Sequence, residues 1–343
     1  MRVREIESSI ASHLGGSERD ISATERPEFD SYTSRLDPSV SKVVVAYFGA
    51  QQECGESERA RSEVNGLVAQ MSDVNGPAHH ELSSYVDEAG YGTVIAACYW
   101  LSPESFDKWF AAIGKSWTAS TEQGHFVEVL RPSVRRLETL HSSDQHLQGL
   151  GSLAVEPSGP IAEHGYWGGM RDRLPDSQAD TLTASGMPAI VEGAVLTVKP
   201  HEELCVIRSG QDYGSTVGTE RLFYLDEVEP QLRAGMDFLR DEGTTIGCFA
   251  NRYVTVLDDD GAPTDKTYAV SLWRDMADLE RWSKTHPTHA RIFGAFMRHM
   301  NEFGADAALR LYHEVIVVPA KDQLFQYANC HPETGMLRVH KVS

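Results

Sequence analysis

Residues 91–110 read YGTVIAACYW followed by LSPESFDKWF, a strand pattern that runs directly into a helix pattern. The first ten residues are apolar and rich in β-branched and aromatic side chains, which is typical of a buried strand. Pro103 suits the first turn of a helix. Phe106, Trp109 and Phe110 then recur at the spacing of a single helix face. This stretch predicts a buried strand with an amphipathic helix packed against its sheet.

The same combination recurs in the second half of the chain, within residues 266–284. Trp100 precedes Trp109 by nine positions, and Trp273 precedes Trp282 by nine. A repeated spacing of this kind indicates an internal duplication when further matches follow in the same order.

The ends of the two halves match as well. The strands predicted at 125–132 and 309–319 each end in a proline, and a leucine follows five residues later, at Leu137 and Leu324. Each half reads β-α-β-β-α-β, which is the split βαβ or ferredoxin-like motif. We therefore predict an α+β fold, a tandem ferredoxin-like duplication of the dimeric α/β-barrel type with antiparallel sheets and flanking helices.

Changes of composition predict where these halves begin and end. The first forty residues are polar and interrupted by glycine and proline, and residues 141–190 are rich in Gly, Ser and Pro without periodicity. The second half is about fourteen residues longer between Trp282 and its last strand, so we expect the functional site there. The predicted segments are an N-terminal arm (1–41), a first half (42–140), a connector with a ligand-facing loop (141–195) and a second half (196–343).

The charge balance excludes some classes of partner. The 343-residue chain has 31 Lys+Arg against 50 Asp+Glu, a net charge of −19. Such a chain repels phosphate backbones and anionic lipid head groups, so we expect neither nucleic acid nor a membrane as partner. No apolar run approaches the roughly 18–20 residues that span a bilayer. Because the N-terminal sequence has no secretory signal pattern and the five cysteines form no CxxC pair, we expect a cytoplasmic protein.

One histidine of the second half lies on an aromatic helix face. Pro287 predicts a helix start, and on that helix His289 shares a face with Phe293 and Phe296. A packed structural histidine is the ordinary interpretation, and an imidazole presented to a bound metal cofactor is the alternative. His286 is three residues away, but no third ligand follows at a zinc-site spacing, so a zinc pair is disfavoured.

Two polar residues fall on predicted strands. His313 shares a strand face with apolar neighbours, where burial disfavours the charged imidazole unless a partner compensates. Ser209 closes the strand CVIRSG but is not in a GxSxG elbow, so a hydrolase nucleophile is not predicted. A packed histidine and a turn serine are the ordinary interpretations, and the polar floor of a pocket is the alternative for His313.

HGYWGGMRDR (164–173) is an unusual segment of the connector. Aromatic residues, Met170 and two arginines surround a Gly-Gly pair in a region of otherwise low hydrophobicity. A loop that folds over a ligand needs such side chains, whereas a solvated loop rarely does. No GxGxxG or P-loop sequence occurs, so nucleotide binding is not supported.

Four separated segments together resemble the aldoxime dehydratases, also called phenylacetaldoxime dehydratases. They are HGYWGGMRDR (164–173), CVIRSGQDYG (205–214), WSKTHPTHARIFGAFM (282–297) and LRLYHEV (309–315), in the order found in that family. The resemblance runs from about residue 43 to the C-terminus. It implies a haem b enzyme that dehydrates an aldoxime, R–CH=N–OH, to a nitrile with ferrous iron. It also implies a duplicated ferredoxin-like α/β barrel.

The resemblance assigns site residues by position. It implies that His289, in the second half, is the proximal haem ligand and that the distal group is Ser209, His313, Arg171 and Glu138. Arg173 is the second candidate for the distal arginine. We also expect contacts with the haem from Arg171, Trp167, Met170 and Phe293.

The resemblance also implies roles for the distal residues. The oxime nitrogen would bind ferrous iron, and the imidazolium of His313 would protonate the departing hydroxyl. The neutral imidazole would then take the proton of the former aldehyde carbon, while Ser209 orients the hydroxyl. Glu138 would help to keep His313 protonated. Arg171 would order either the distal network or a haem propionate, and both roles stay open.

Other classes remain open at this point. A peroxidase or chlorite-dismutase-like enzyme on the same fold would rely on a distal Arg or Asp and would not need Ser209 with His313. A non-catalytic haem-binding protein would need His289 alone, and a haem-free barrel protein would need none of these residues. The expected partner is a small-molecule aldoxime, and a homodimer is compatible with the predicted fold.

Overall fold

The structure is a computed structural model that describes residues 6–15, 29–53, 57–119, 124–163 and 169–341. It confirms the predicted α+β class, since a large antiparallel sheet of twelve strands is flanked by helices. The apolar runs of the sequence form its central strands, because layers on both faces bury their side chains.

In the described residues, the arm and the first half together supply six strands and two α-helices. Gly92–Trp100 is buried at every position, since one face meets the central core and the other meets helices. The helix after it begins at Pro103, where the Ser102 hydroxyl accepts a hydrogen bond from the Ser105 N–H. The elements are β1 (Ser34–Arg35), β2 (Val44–Gln52), α1 (Glu58–Val68), β3 (His79–Val86), β4 (Gly92–Trp100), α2 (Pro103–Ala112), β5 (Gly124–Leu130) and β6 (Leu137–His141).

The connector has little regular structure, as its Gly-, Ser- and Pro-rich composition predicts. Its described part contains β7 (Glu156–Pro157), α3 (Gly169–Arg173) and β8 (Ala189–Val191), and β9 (Leu196–Lys199) follows directly at the start of the second half. The short strand β7 pairs with β1 and so fastens the N-terminal arm to the body of the protein.

The second half repeats the strand–helix alternation with one additional long helix. That helix starts at Pro287, and the His286 side chain accepts the N–H of Thr288 at its first turn. A π-helical turn at Tyr224–Val228 joins the first two helices. The elements are β10 (Leu204–Asp212), α4 (Gly218–Phe223), α5 (Glu229–Asp241), β11 (Cys248–Leu257), β12 (Pro263–Trp273), α6 (Met276–Thr285), α7 (Pro287–Phe303), β13 (Arg310–Val318) and β14 (Gln323–Ala328).

The two halves order their strands in the same way. The first runs β3-β4-β2-β5 and the second runs β11-β12-β10-β13, and every neighbouring pair is antiparallel. The halves join where β11 pairs with β3 through Thr255, Val256 and Leu257.

Each half also gives one strand to the other. β6, at the end of the first half, pairs with β13, and β14, the last strand of the second half, pairs with β5. The leucines that recur after Pro132 and Pro319 lie in these two exchanged strands. The exchange brings residues of the first half beside the strands of the second.

Apolar side chains form layers on both sides of the strands. A central cluster combines residues of both halves, such as Tyr47, Tyr99 and Tyr268. Two outer clusters lie beneath α1 and α2 in the first half and beneath α5 and α6 in the second. The second half therefore has an inner face toward the central core and an outer face toward helices.

The recurrent tryptophans occupy matching places in the outer clusters. The rings of Trp100 and Trp109 lie 5.4 Å apart, and those of Trp273 and Trp282 lie 5.7 Å apart. In each half the end of a central strand thereby packs on the helix that follows it.

Among the helices of the described ranges, none is both long enough and apolar enough to cross a membrane.

Candidate active site

Ser209 and His313 lie opposite each other on two central strands. β10 and β13 pair antiparallel, and Ser209 is the register partner of His313. Opposite residues in such a pair project from the same face, with Cβ atoms about 4.5–5.5 Å apart. Both residues are half-buried, so both can touch a bound molecule. Two separate sequence segments are thus brought together at one point.

The pair belongs to the outer face of the sheet. Cys205, Val315 and Val317 alternate with it along the two strands and pack into the cluster under α5 and α6. Ser209 and His313 are therefore polar residues beside apolar neighbours on this face.

Glu138 and Arg173 lie beside His313. Glu138 comes from the exchanged strand β6, and its Oε1 is 2.9 Å from Nε2 of His313. Arg173, on α3, donates to Glu138 Oε2 through Nε at 2.8 Å and to Oε1 through Nη2 at 3.3 Å. The same Nη2 is 3.2 Å from His313 Nε2. These contacts connect three separate segments into one charged group.

The Glu138 carboxyl is ionised although it is almost completely buried. Burial raises its pKa, but the charges of Arg173 and His313 and their hydrogen bonds outweigh burial. The pKa of Glu138 is lowered from its ordinary value of 4.5 to about 2. A fixed negative charge is therefore held next to the imidazole at neutral pH.

His313 turns its Nε2 toward this carboxylate. Nε2 cannot both donate to Glu138 and accept from Arg173, and the contact with the carboxylate is shorter, 2.9 Å against 3.2 Å. A carboxylate only accepts, so the contact with Glu138 is a hydrogen bond when Nε2 carries the ring N–H. Nδ1 is then the ring nitrogen that faces away from Glu138.

Arg171 lies outside this group. Its Nε donates to Glu280 at 2.8 Å, and its Nη1 donates to the Thr181 carbonyl at 2.7 Å. Residues two apart on a helix point in different directions, so Arg171 and Arg173 serve different neighbours. The structure thus brings Arg173, the second candidate for the distal arginine, beside His313, whereas Arg171 pairs with Glu280.

His289 is a neutral imidazole on α7. Burial lowers its pKa to about 4, and a hydrogen bond with the main chain of Ser283 offsets only part of that effect. The ring also meets the indole of Trp282 edge to face, with centroids 4.7 Å apart. A haem iron takes a neutral, oriented imidazole as its axial ligand. The residue therefore fits the proximal position.

The surrounding donors fit haem better than a protein-ligated metal. Within the ranges that the structure describes, no three His, Cys, Asp or Glu side chains converge on a point that could hold a metal ion. His286 caps α7, and Nε2 of the fully buried His299 lies 3.3 Å from Glu220. A single imidazole suits iron whose other ligands come from a porphyrin, whereas zinc needs three or four protein ligands.

The other expected haem contacts have different outcomes. Met170 is buried in the apolar cluster under α5 and α6, and Phe293 is half-buried on α7, one turn after His289. Trp167 lies within 164–168, outside the described residues. Contacts of these three residues with haem stay predictions.

Glu163 is a residue of the site that the sequence did not indicate. Its carbonyl accepts Nη1 of Arg173 at 2.9 Å, and its carboxylate accepts the Ser8 hydroxyl at 2.6 Å and the Ser9 N–H at 2.7 Å. It therefore ties the N-terminal arm to Arg173. A main-chain acceptor has no side-chain signature, so no sequence signal could have revealed it.

Comparison with known proteins gives a consistent family. The family model of the haem-containing dehydratases matches residues 46–336. An aliphatic aldoxime dehydratase of Rhodococcus globerulus is 41% identical over 97% of this chain and 98% of that protein. A phenylacetaldoxime dehydratase of Bacillus sp. (strain OxB-1) is 32% identical over 92% of this chain and 93% of that protein.

A solved structure also matches. The crystal structure of an aldoxime dehydratase in complex with butyraldoxime superposes with a TM-score of 0.92 at 39% identity, covering 98% of both chains. The similarity includes the connector and both halves of the sheet.

Proposed function

The chain belongs to the haem-containing dehydratase family, and from that premise we propose that it dehydrates aldoximes to nitriles with haem b as cofactor. The observation that carries the proposal is the register pairing of Ser209 with His313, beside the Glu138–Arg173 ion pair. The reaction converts R–CH=N–OH into R–C≡N and H2O, so it consumes no oxidant or reductant.

His289 would hold the haem iron. Its imidazole is neutral near pH 7, so no proton has to leave before the nitrogen binds a metal. Held there, ferrous haem would supply the metal that binds the oxime nitrogen. Phe293 and Met170 would contact the porphyrin, as would Trp167.

His313 would act as the general acid. The hydroxyl of the oxime leaves as water, so a proton must reach its oxygen while the N–O bond breaks. With Nε2 turned to Glu138, Nδ1 is the ring nitrogen that would give this proton. Ser209, opposite on β10, would hydrogen-bond the hydroxyl oxygen and hold it in line with the acid.

The same imidazole would act as the base. After it has protonated the hydroxyl, His313 is neutral and can take the proton from the former aldehyde carbon as the C≡N bond forms. This step restores the imidazolium, and Glu138 stabilises its charge at 2.9 Å. His313 therefore gives up one proton and regains one in each turnover.

Arg173 would hold Glu138 in place. Its two donors fix both carboxylate oxygens, and the Glu163 carbonyl fixes the guanidinium in turn. Arg171 would instead join α3 to α6 through Glu280.

We propose alkyl aldoximes as the substrate class to test first. Four similar proteins at 38–41% identity are aliphatic aldoxime dehydratases, whereas the phenylacetaldoxime dehydratase is 32% identical. Phenylacetaldoxime is the comparison substrate.

We also propose that the two halves derive from one ferredoxin-like unit by tandem duplication. The equal strand order and the tryptophan pairs at 5.4 and 5.7 Å support this origin. The proposed division keeps the arm (1–41), the first half (42–140), the connector with the haem-pocket loop (141–195) and the second half (196–343), which carries His289.

For the cellular environment we propose the cytoplasm. Cys98, Cys205, Cys248 and Cys330 are free thiols, which is the usual state in a reducing compartment. A homodimer is the assembly to test by light scattering.

The experiment that tests the function is nitrile formation by purified holoprotein. A Soret band establishes the haem, and butyronitrile formed from butyraldoxime is measured by gas chromatography under dithionite without air. We expect a rate proportional to haem content. Protein that binds no haem would overturn the cofactor, and haem-loaded protein that oxidises a peroxidase substrate but makes no nitrile would overturn the reaction.

A further inference from the structure

The residues that flank Ser209 and His313 point to the opposite side of the sheet. Arg208 precedes Ser209 on β10, and Tyr312 and Glu314 are the sequence neighbours of His313 on β13. Because side chains alternate along a strand, these three residues enter the central core between the two halves. All three are buried there.

Arg208 is the centre of a hydrogen-bonded network in that core. Its Nε donates to the Tyr312 hydroxyl at 2.9 Å, its Nη1 donates to the Tyr99 hydroxyl, and its Nη2 donates to Glu81 at 2.5 Å. The guanidinium also lies 3.7 Å from the ring centre of Tyr268. All three directions of the guanidinium are therefore occupied.

Glu314 completes the network. The Tyr99 hydroxyl donates to its Oε1 at 3.2 Å, and the Leu150 N–H donates to its Oε2 at 2.7 Å. Tyr99 therefore stands between Arg208 on β10 and Glu314 on β13, accepting from one and donating to the other. Since Tyr99 and Glu81 belong to the first half, the network connects that half to both site strands.

The strands are fitted closely around this network. Gly210 follows Ser209 and is the register partner of Tyr312. A Cβ at position 210 would lie 2.0 Å from the Tyr312 ring, so the ring lies flat on the strand where a side chain would be. The ring of Tyr312, on β13, is thus held against β10 by its contact with Gly210 as well as by the hydrogen bond between its hydroxyl and Arg208.

We propose that Arg208, Tyr99, Tyr312 and Glu314 are positioning residues that hold Ser209 and His313 at the mutual distance and orientation that the dehydration requires. Desolvating ionised side chains is costly, and apolar residues of similar volume would pack the same space at least as well. A polar network in this place is explained if it fixes the strand neighbours of its members, Ser209 on β10 and His313 on β13, whose side chains lie on the outer face. This inference rests on the proposed function.

A second network of the same kind provides a matched control. Arg252 on β11 pairs with Glu128 on β5, and the Tyr327 hydroxyl donates to Glu128 at 2.5 Å and accepts the Met336 N–H at 2.9 Å. Tyr327 and Tyr99 are both completely buried. Its strands β5, β11 and β14 carry none of the residues assigned to the site.

The experiment compares Tyr99→Phe with Tyr327→Phe in the haem-loaded protein. Each variant removes one buried hydroxyl and keeps the ring, so both should lose thermal stability to a similar degree. Tyr99→Phe should lower kcat per haem about ten-fold, within the roughly 10²-fold that a 1 Å displacement can cause. Tyr327→Phe should leave kcat per haem within about two-fold.

Two further measurements separate positioning from general stability. Spectral titration with butyraldoxime should give an unchanged Kd in Tyr99→Phe, because the network does not touch the ligand. Amide hydrogen exchange should be faster on β10 and β13 in Tyr99→Phe but not in Tyr327→Phe. Tyr312→Phe serves as the second variant if Tyr99→Phe does not fold.

A double-mutant comparison tests the route of the effect. On a His313→Ala background there is no acid left to position, so adding Tyr99→Phe should change the residual rate by less than about two-fold. An equal fractional loss on both backgrounds would overturn the inference, as would equal kcat values for Tyr99→Phe and Tyr327→Phe. Absence of nitrile formation by the wild-type protein would instead overturn the proposed function.

Discussion

Replacing Arg173 by Gln should damage both stability and catalysis, whereas the same change at Arg171 should do little. Arg173→Gln removes two donors from Glu138 and one from the Glu163 carbonyl. Arg171→Gln, two residues away on the same helix, removes the contacts with Glu280 and the Thr181 carbonyl. Each variant therefore loses hydrogen bonds to one carboxylate and one main-chain carbonyl, but at different positions in the fold.

The burial of the two ion pairs gives the expected magnitudes. The Arg173 and Glu138 side chains are 4% and 1% exposed, against 21% and 11% for Arg171 and Glu280. Removing one partner of a buried pair costs about 3–5 kcal/mol, and a more accessible pair contributes up to about 1 kcal/mol. With an unfolding entropy of about 2.1 cal/mol/K per residue, these losses lower Tm by about 4–7 °C for Arg173→Gln and by at most about 1.4 °C for Arg171→Gln.

The stability difference should also depend on pH, with a sign fixed by Glu138. Its lowered pKa means that its contribution to stability is complete above its ordinary pKa of 4.5 and is lost as pH falls toward about 2. Without Arg173, less positive charge offsets the cost of burying the Glu138 carboxylate. The pKa of Glu138 therefore rises, and the carboxyl takes up a proton at a higher pH than in the wild type. The Tm difference between wild type and Arg173→Gln should be largest near pH 7 and should shrink below about pH 4.5.

The assay is kcat per haem with butyraldoxime, together with Tm at several pH values. We expect Arg173→Gln to lose at least about ten-fold in kcat per haem, because Glu138 no longer holds His313 in place, and Arg171→Gln to stay within about three-fold. A larger loss of kcat in Arg171→Gln than in Arg173→Gln would indicate that Arg171 is the distal arginine. Equal Tm losses at pH 7 and pH 4 would refute the charge argument.

The remaining predictions concern the cofactor and the distal pair. His313→Ala should lose roughly 10²–10⁴-fold in rate. It should keep its haem and its spectral response to aldoxime, because binding needs no proton donor. A rate per haem above about a tenth of the wild-type rate would exclude His313 as the acid. Ser209→Ala should lose roughly 10–10³-fold, and the double variant less than the product of the single losses, when measured per haem. His289→Ala should fold without haem while His286→Ala keeps most of it, as the Soret band reports. Nitrile formation should require dithionite, and equal rates in air-oxidised protein would contradict a ferrous requirement.

The sequence was sufficient to predict the secondary structure around the site. The repeated Trp spacing located β4 and α2 as well as β12 and α6, and Pro287 located the start of α7. These features are local, because strand and helix periodicity and capping act over a few residues. The strand β3 (His79–Val86) had no such signal, since it is largely polar and only partly buried.

The contacts within the predicted distal group could not be predicted without the structure. Glu138 reaches His313 because β6 leaves its own half to pair with β13, and strand exchange between halves leaves no local sequence pattern. The choice between Arg171 and Arg173 depends on which direction each side chain takes from a helix of five residues. Such choices are made by tertiary contacts, which spacing along one chain does not encode.

The contrast between the two outer faces bears on why Ser209, His313 and the predicted haem ligand His289 all lie in the second half. In the first half, the outer face of β2 presents Val44, Ala46, Phe48 and Ala50, all fully buried beneath α1 and α2. On β10 the corresponding face carries Ser209 and, beside it, Gln211, and its helical layer includes the additional α7 with His289. An apolar face that helices fill completely has no room for a cofactor. A polar pair under a helical layer that includes one further helix is where we expect the cofactor and the chemistry.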